Sequence, residues 1–87
     1  MVRHDNPLAN KIIAFLGNPQ TLTRTEAKYE LSLIGGVYSR SITSNLNYVV
    51  AFSGAEDKVM FDDVKELASK GMLKIISEDE FIEMLSQ

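Results

Sequence analysis

The chain has 87 residues, 45% apolar and 24% charged, with a formal net charge of −3 and no cysteine. A domain of this size buries only about 60% of the surface its unfolded form exposes, which excludes a two-domain enzyme and a large enclosed active site. The missing cysteines exclude disulfide scaffolds, thiolate zinc sites and thiol catalysis, and suit a reducing cytoplasm.

The charge is uneven. Residues 1–50 sum to +2 and residues 51–87 to −5. Bound anions must therefore be held by a few placed residues, not by a general positive field. No apolar run approaches the roughly 18 residues that span a bilayer, so no membrane partner is expected. The start, Met1 to Pro7, lacks the apolar centre of a signal peptide.

Residues 1–10 are polar and without periodicity, and are expected to form a flexible lead-in to a domain over 11–87. Lys11 to Leu16 is an apolar run closed by Gly17, the pattern of a strand covered on both faces. A loop follows over Gly17-Asn18-Pro19-Gln20. Thr23 and Glu26 have the spacing of a capping box, and Ala27, Leu31 and Ile34 then fall on one helical face. Gly35-Gly36 ends that helix.

Val37 to Ser41 reads as a short strand, Ser44 to Asn47 as a turn, and Tyr48 to Phe52 as a second buried strand. After the loop Ser53-Gly54-Ala55, a helix is predicted from about Asp57 to Lys70, with Met60, Val64, Leu67 and Ala68 inward and Gly71 as its C-cap. Leu73 to Ile76 is the last strand. Ser77 and Glu80 make a second capping box, and Phe81, Ile82 and Leu85 give the final helix its apolar face. The order β-α-β-β-α-β-α implies an α/β fold with a largely parallel sheet.

That order, with its punctuation, resembles a BRCT domain. Strand 1 ends in Gly17. Thr23-Arg24-Thr25-Glu26-Ala27-Lys28 resembles the first-helix start of bacterial members, and Ile34-Gly35-Gly36-Val37 the Gly-Gly break after it. Asn47-Tyr48-Val49-Val50-Ala51 resembles the third strand. Lys74 to Phe81 is similar to the last strand and helix of BRCT domains in NAD-dependent DNA ligases and in the tails of DNA polymerase III epsilon-like exonucleases. Phe81 stands where many members have Trp, as in the ligase-like branch. The resemblance covers about Lys11 to Leu85. It implies a single domain with a four-stranded parallel sheet and three helices, the first and third on one face and the second on the other.

The resemblance also implies a non-catalytic interaction module of DNA replication and repair, without cofactor or metal. Two mechanisms stay open. One is binding of DNA with a 5′-phosphate end, or of another phosphorylated ligand, by Gly17, Asn18, Arg24 and Lys58. In phosphate-binding members a Gly N–H at the end of strand 1, a neighbouring Ser or Thr hydroxyl and a Lys at the second helix hold the anion. An Arg at the first helix is added in binders of DNA ends. Leu16 stands at the hydroxyl position, and losing one such hydrogen bond costs about 1 kcal/mol. The other mechanism is contact with a protein partner of the replication and repair machinery, or with a second copy in a homodimer. Leu16 and the low positive charge lean toward protein contact.

The alternative is a small flavodoxin-like α/β enzyme or phosphocarrier. Its strand ends would offer Leu16-Gly17, Phe52-Ser53 and Ile76-Ser77, none of which brings a Cys, a His or an acidic cluster. His4 reads as a tail residue, Asp62-Asp63 as a solvated face, and Glu78-Asp79-Glu80 as charge suited to a helix N-terminus. Whether the chain stands alone or belongs to a longer protein stays open.

Overall fold

Strand β1, Ile12–Leu16, sits inside a four-stranded sheet. Its last four residues are all buried because both faces are covered. In a strand, successive side chains point to opposite faces. Accordingly Ile13 and Phe15 enter one apolar cluster and Ala14 and Leu16 the other. The computed structural model describes residues 6–87. His4 and the rest of 1–5 lie outside the described residues.

Helix α1, Arg24–Leu33, follows β1 and leads to the edge strand β2, Val37–Ser39. Strand β3, Tyr48–Ala51, pairs with the other side of β1. A single 3₁₀ turn, Ala55–Asp57, then precedes helix α2, Phe61–Ser69. Strand β4, Lys74–Ser77, pairs with β3 and runs directly into helix α3, Glu78–Leu85. All three strand pairs are parallel, in the order β2-β1-β3-β4. This is the BRCT-like arrangement expected from the sequence.

The two faces of the sheet hold separate cores. Ala27, Leu31 and Ile34 at α1 pack with Phe81 of α3 against Ile13, Phe15 and Val50. Val64 of α2 packs with Leu16, Val49 and Leu73 on the opposite face. Three phenylalanines weld the first core. The Phe15 ring lies 5.3 Å from that of Phe52 and 5.4 Å from that of Phe81, both edge-on. Such aromatic pairs add about 0.5–1.5 kcal/mol beyond their area burial.

Both capping boxes form. The Thr23 hydroxyl accepts from Glu26 N–H, and Thr23 N–H donates to the Glu26 carboxylate. Ser77 and Glu80 repeat the pattern at α3.

Three regions depart from the sequence reading. Residues 6–10 are packed, unlike the flexible lead-in expected of 1–10. Asn6 is 4% exposed and Leu8 fully buried. The Asn6 side chain donates to the carbonyls of Met84 (2.7 Å) and Gln87 (3.2 Å) and accepts from Leu8 N–H (2.9 Å). It thereby satisfies orphan carbonyls at the end of α3. Second, Leu46, read as part of a turn, is buried in the α2-side core. Third, α2 begins at Phe61, because Lys58 is extended (φ −81°, ψ 142°) and ends the 3₁₀ turn. Met60, expected inward, is therefore exposed.

Candidate binding site at the end of strand β1

The chain leaves β1 toward β2 on one side and leaves β3 toward β4 on the other. The direction of winding reverses between β1 and β3. Open parallel sheets form a crevice at such a switch point, beyond the C-terminal ends of the strands. Gly17 follows β1 there, and Phe52-Ser53 follows β3.

Gly17 is buried with φ at +90°, in the left-handed region. A Cβ at this position would lie 2.7 Å from the Ser53 carbonyl oxygen, 2.8 Å from that of Phe52 and 3.0 Å from Ala55 N. The position therefore needs glycine both for its backbone and for the close approach of the neighbouring turn. Asn18 N–H donates to Ser53 O at 2.9 Å, forming an isolated bridge that ties the two loops together.

Arg24, in the first turn of α1, folds back over this junction. One guanidinium nitrogen donates to the Gly17 carbonyl at 3.0 Å. A guanidinium has five N–H donors, so one bond to a carbonyl leaves others for an anion. Arg24 is half-buried, not the freely solvated side chain that its place in the first turn suggests.

Lys58 reaches the neighbourhood through the 3₁₀ turn. Its N–H donates to Ala55 O at 3.0 Å, and Ala55 N is among the atoms closest to the space above Gly17. The Lys58 side chain is exposed, with no hydrogen-bond or ion-pair partner among the described residues. Gly17 and Arg24 are in direct contact, whereas Lys58 stands at the end of the adjoining turn. Asn18 has its backbone committed on both sides, since its carbonyl also accepts from the Gln20 side chain at 3.0 Å.

Two groups limit what the crevice can hold. Leu16 is 2% exposed and packed in the α2-side core, so an apolar side chain fills the place of the usual hydroxyl. Glu78, the first residue of α3, accepts from Gln20 N–H at 2.9 Å and from Thr21 N–H at 2.8 Å. An internal carboxylate thus takes the donors at the far end of the β1–α1 loop. Glu78's second task is not legible from sequence alone, because Gln20 and Thr21 are remote from it along the chain.

Asp62 and Asp63 are exposed on α2, and among the described residues no group of three His, Cys, Asp or Glu side chains gathers as a metal site. No described helix is long and apolar enough to cross a membrane.

No family model matches the chain. Curated proteins do. The chain is 31% identical over 98% of its length to a DNA ligase of Bradyrhizobium sp. (strain ORS 278) and 34% identical over 98% to one of Legionella pneumophila (strain Lens). It is also 34% identical over 95% to a DNA ligase of Nitrobacter winogradskyi. The chain spans only 11% of the length of the first and third ligases and 12% of the second. The ligase-type resemblance read from the residues therefore holds across nearly the whole chain, but against a small segment of each relative.

Proposed function

We propose that this chain, with its BRCT-like fold and its match to a segment of bacterial DNA ligases, is a non-catalytic module of DNA repair or replication that binds the phosphate at a DNA end. The observation that carries this reading is the Arg24 guanidinium anchored on the Gly17 carbonyl at the switch point of the sheet. Arg24 is held in place while keeping free donors, and a forked cation suits a phosphate better than a point charge does. Lys58 adds a second cation from the adjoining turn. Leu16 supplies no hydroxyl, so the site relies on charge.

The reading assigns no chemistry to the chain. Of the strand-end hydroxyls, Ser77 is spent as the N-cap of α3. The module would act by holding a DNA end in the cytoplasm for an enzyme that joins or processes it.

The test is fluorescence anisotropy with two short duplexes, one carrying a 5′-phosphate and one a 5′-hydroxyl. The reading expects tighter binding of the phosphorylated end and an affinity that falls with salt, by a log–log slope of about −0.9 per phosphate contact. Equal affinity for both ends, or affinity independent of salt, contradicts it.

A further inference from the structure

A second concave surface lies away from the switch point, between α1 and α3. It forms an open groove of about 330 Å³. Leu22, Ile82 and Leu85 supply its apolar lining, and Glu26 and Glu30 line it from α1. No lysine or arginine lines it. Leu22 and Leu85 are also packed against the phenylalanine core, so the apolar floor is continuous with the rigid body of the domain.

The walls are fixed before any partner arrives. Glu78 pins Gln20 and Thr21 at one end. The capping box holds the Glu26 carboxylate at Thr23 N–H, 2.9 Å away. That bond stabilises the ionised form, lowering the Glu26 pKa from 4.5. Glu26 and Glu30 are four residues apart on one helix face, where like charges repel. Among the described residues the only ion pair is Lys70 with Glu66, on α2. The groove therefore joins an apolar floor to two negative charges that no cation of the described residues offsets.

We infer that the groove between α1 and α3 docks a basic amphipathic segment of a partner protein, with an aliphatic side chain on Leu22, Ile82 and Leu85 and a lysine or arginine against Glu26 and Glu30. The volume suits one or two side chains, at the lower end of the range of about 300–1,000 Å³ typical of ligand pockets. A preformed wall lowers the ordering cost of binding. None of the DNA-end residues Gly17, Arg24 and Lys58 lines the groove, so the two ligands would use different side chains.

The test follows backbone amides by NMR while a short peptide of leucine and lysine, with its leucines on one face, is added to the nitrogen-15-labelled chain. Two control peptides replace leucine by serine, or lysine by glutamate. Shifts centred on Leu22, Glu30, Ile82 and Leu85 with the first peptide alone are the expected result. Glu30→Lys, an exposed change, should then weaken binding about tenfold by turning an attraction into a repulsion, and Ile82→Ser should weaken it independently. Equal binding of the serine–lysine peptide would reduce the effect to charge alone and overturn the assignment. So would shifts centred on Asp62, Asp63 and Glu66, or concentration-dependent shifts of the chain without peptide, which would mean that a second copy fills the groove. A 5′-phosphorylated duplex should leave the α3 amides of Ile82 and Leu85 unmoved, so failure of the DNA-end reading would not be mistaken for failure here.

Discussion

Arg24 donates a hydrogen bond from its guanidinium to the carbonyl of Gly17, 3.0 Å away, seven residues back along the chain. The bond ties the first turn of α1 to the end of β1 at the point where the sheet reverses its winding. Replacing Arg24 by alanine should lower affinity for a 5′-phosphorylated duplex about tenfold, the usual loss for a charge-assisted hydrogen bond. Arg24→Lys should recover only part of it, because an ammonium group lacks the planar fork. Anisotropy measured on the folded variants decides this.

Gly17→Ala should destabilise the domain itself. The new Cβ would meet the Ser53 and Phe52 carbonyl oxygens at 2.7 and 2.8 Å, at a backbone φ of +90°. Backbone strain of this kind costs about 1–3 kcal/mol. Urea unfolding should show a lower midpoint with an unchanged slope. A variant as stable as the parent would mean that the β3 loop moves freely away from Gly17.

Asn6→Ala should cost about 1–3 kcal/mol, because it leaves buried partners unsatisfied at the end of α3. The same urea experiment reads it. An unchanged midpoint would return residues 6–10 to the status of a lead-in.

Glu26 gives a pH dependence of known sign. Its hydrogen bonds from Thr23 hold its pKa below the ordinary 4.5. A carboxylate lowered in the folded state stabilises above its unfolded pKa, and that contribution is lost as pH falls through the folded value. Thermal unfolding followed from pH 7 down through the carboxylate range should show a smaller drop for Glu26→Gln than for the parent. Identical profiles would mean that the capping box carries no pH-linked stability.

Local signals are legible in the sequence, and long-range ones are not. The four strands and both capping boxes follow from periodicity and punctuation, which act over a few residues, and the two-sided placement of the helices follows from the resemblance. The start of α2 is obscured because Glu56 and Asp57 suit a helix N-terminus wherever one forms. Here they sit in a 3₁₀ turn, and the helix waits for Phe61. Asn6 is hidden because residues 1–10 are polar and without periodicity, while its partners Met84 and Gln87 lie at the other end of the chain. Leu46 is hidden because three polar neighbours, Ser44, Asn45 and Asn47, mask a residue that packs in the α2-side core. At the candidate site, the residue types were legible. The inward fold of Arg24 and the carboxylate of Glu78 at the same loop were not, since both depend on how separate elements meet.

The most direct test of the DNA-end reading is the map of amide shifts when the nitrogen-15-labelled chain meets a duplex with a 5′-phosphate and the same duplex without it. The account predicts shifts confined to the phosphorylated duplex, centred on Gly17, Asn18, Arg24 and Lys58, and lost in Lys58→Ala. No shift with either duplex at modest salt, or equal shifts with both, would contradict it and leave protein contact as the role of the module.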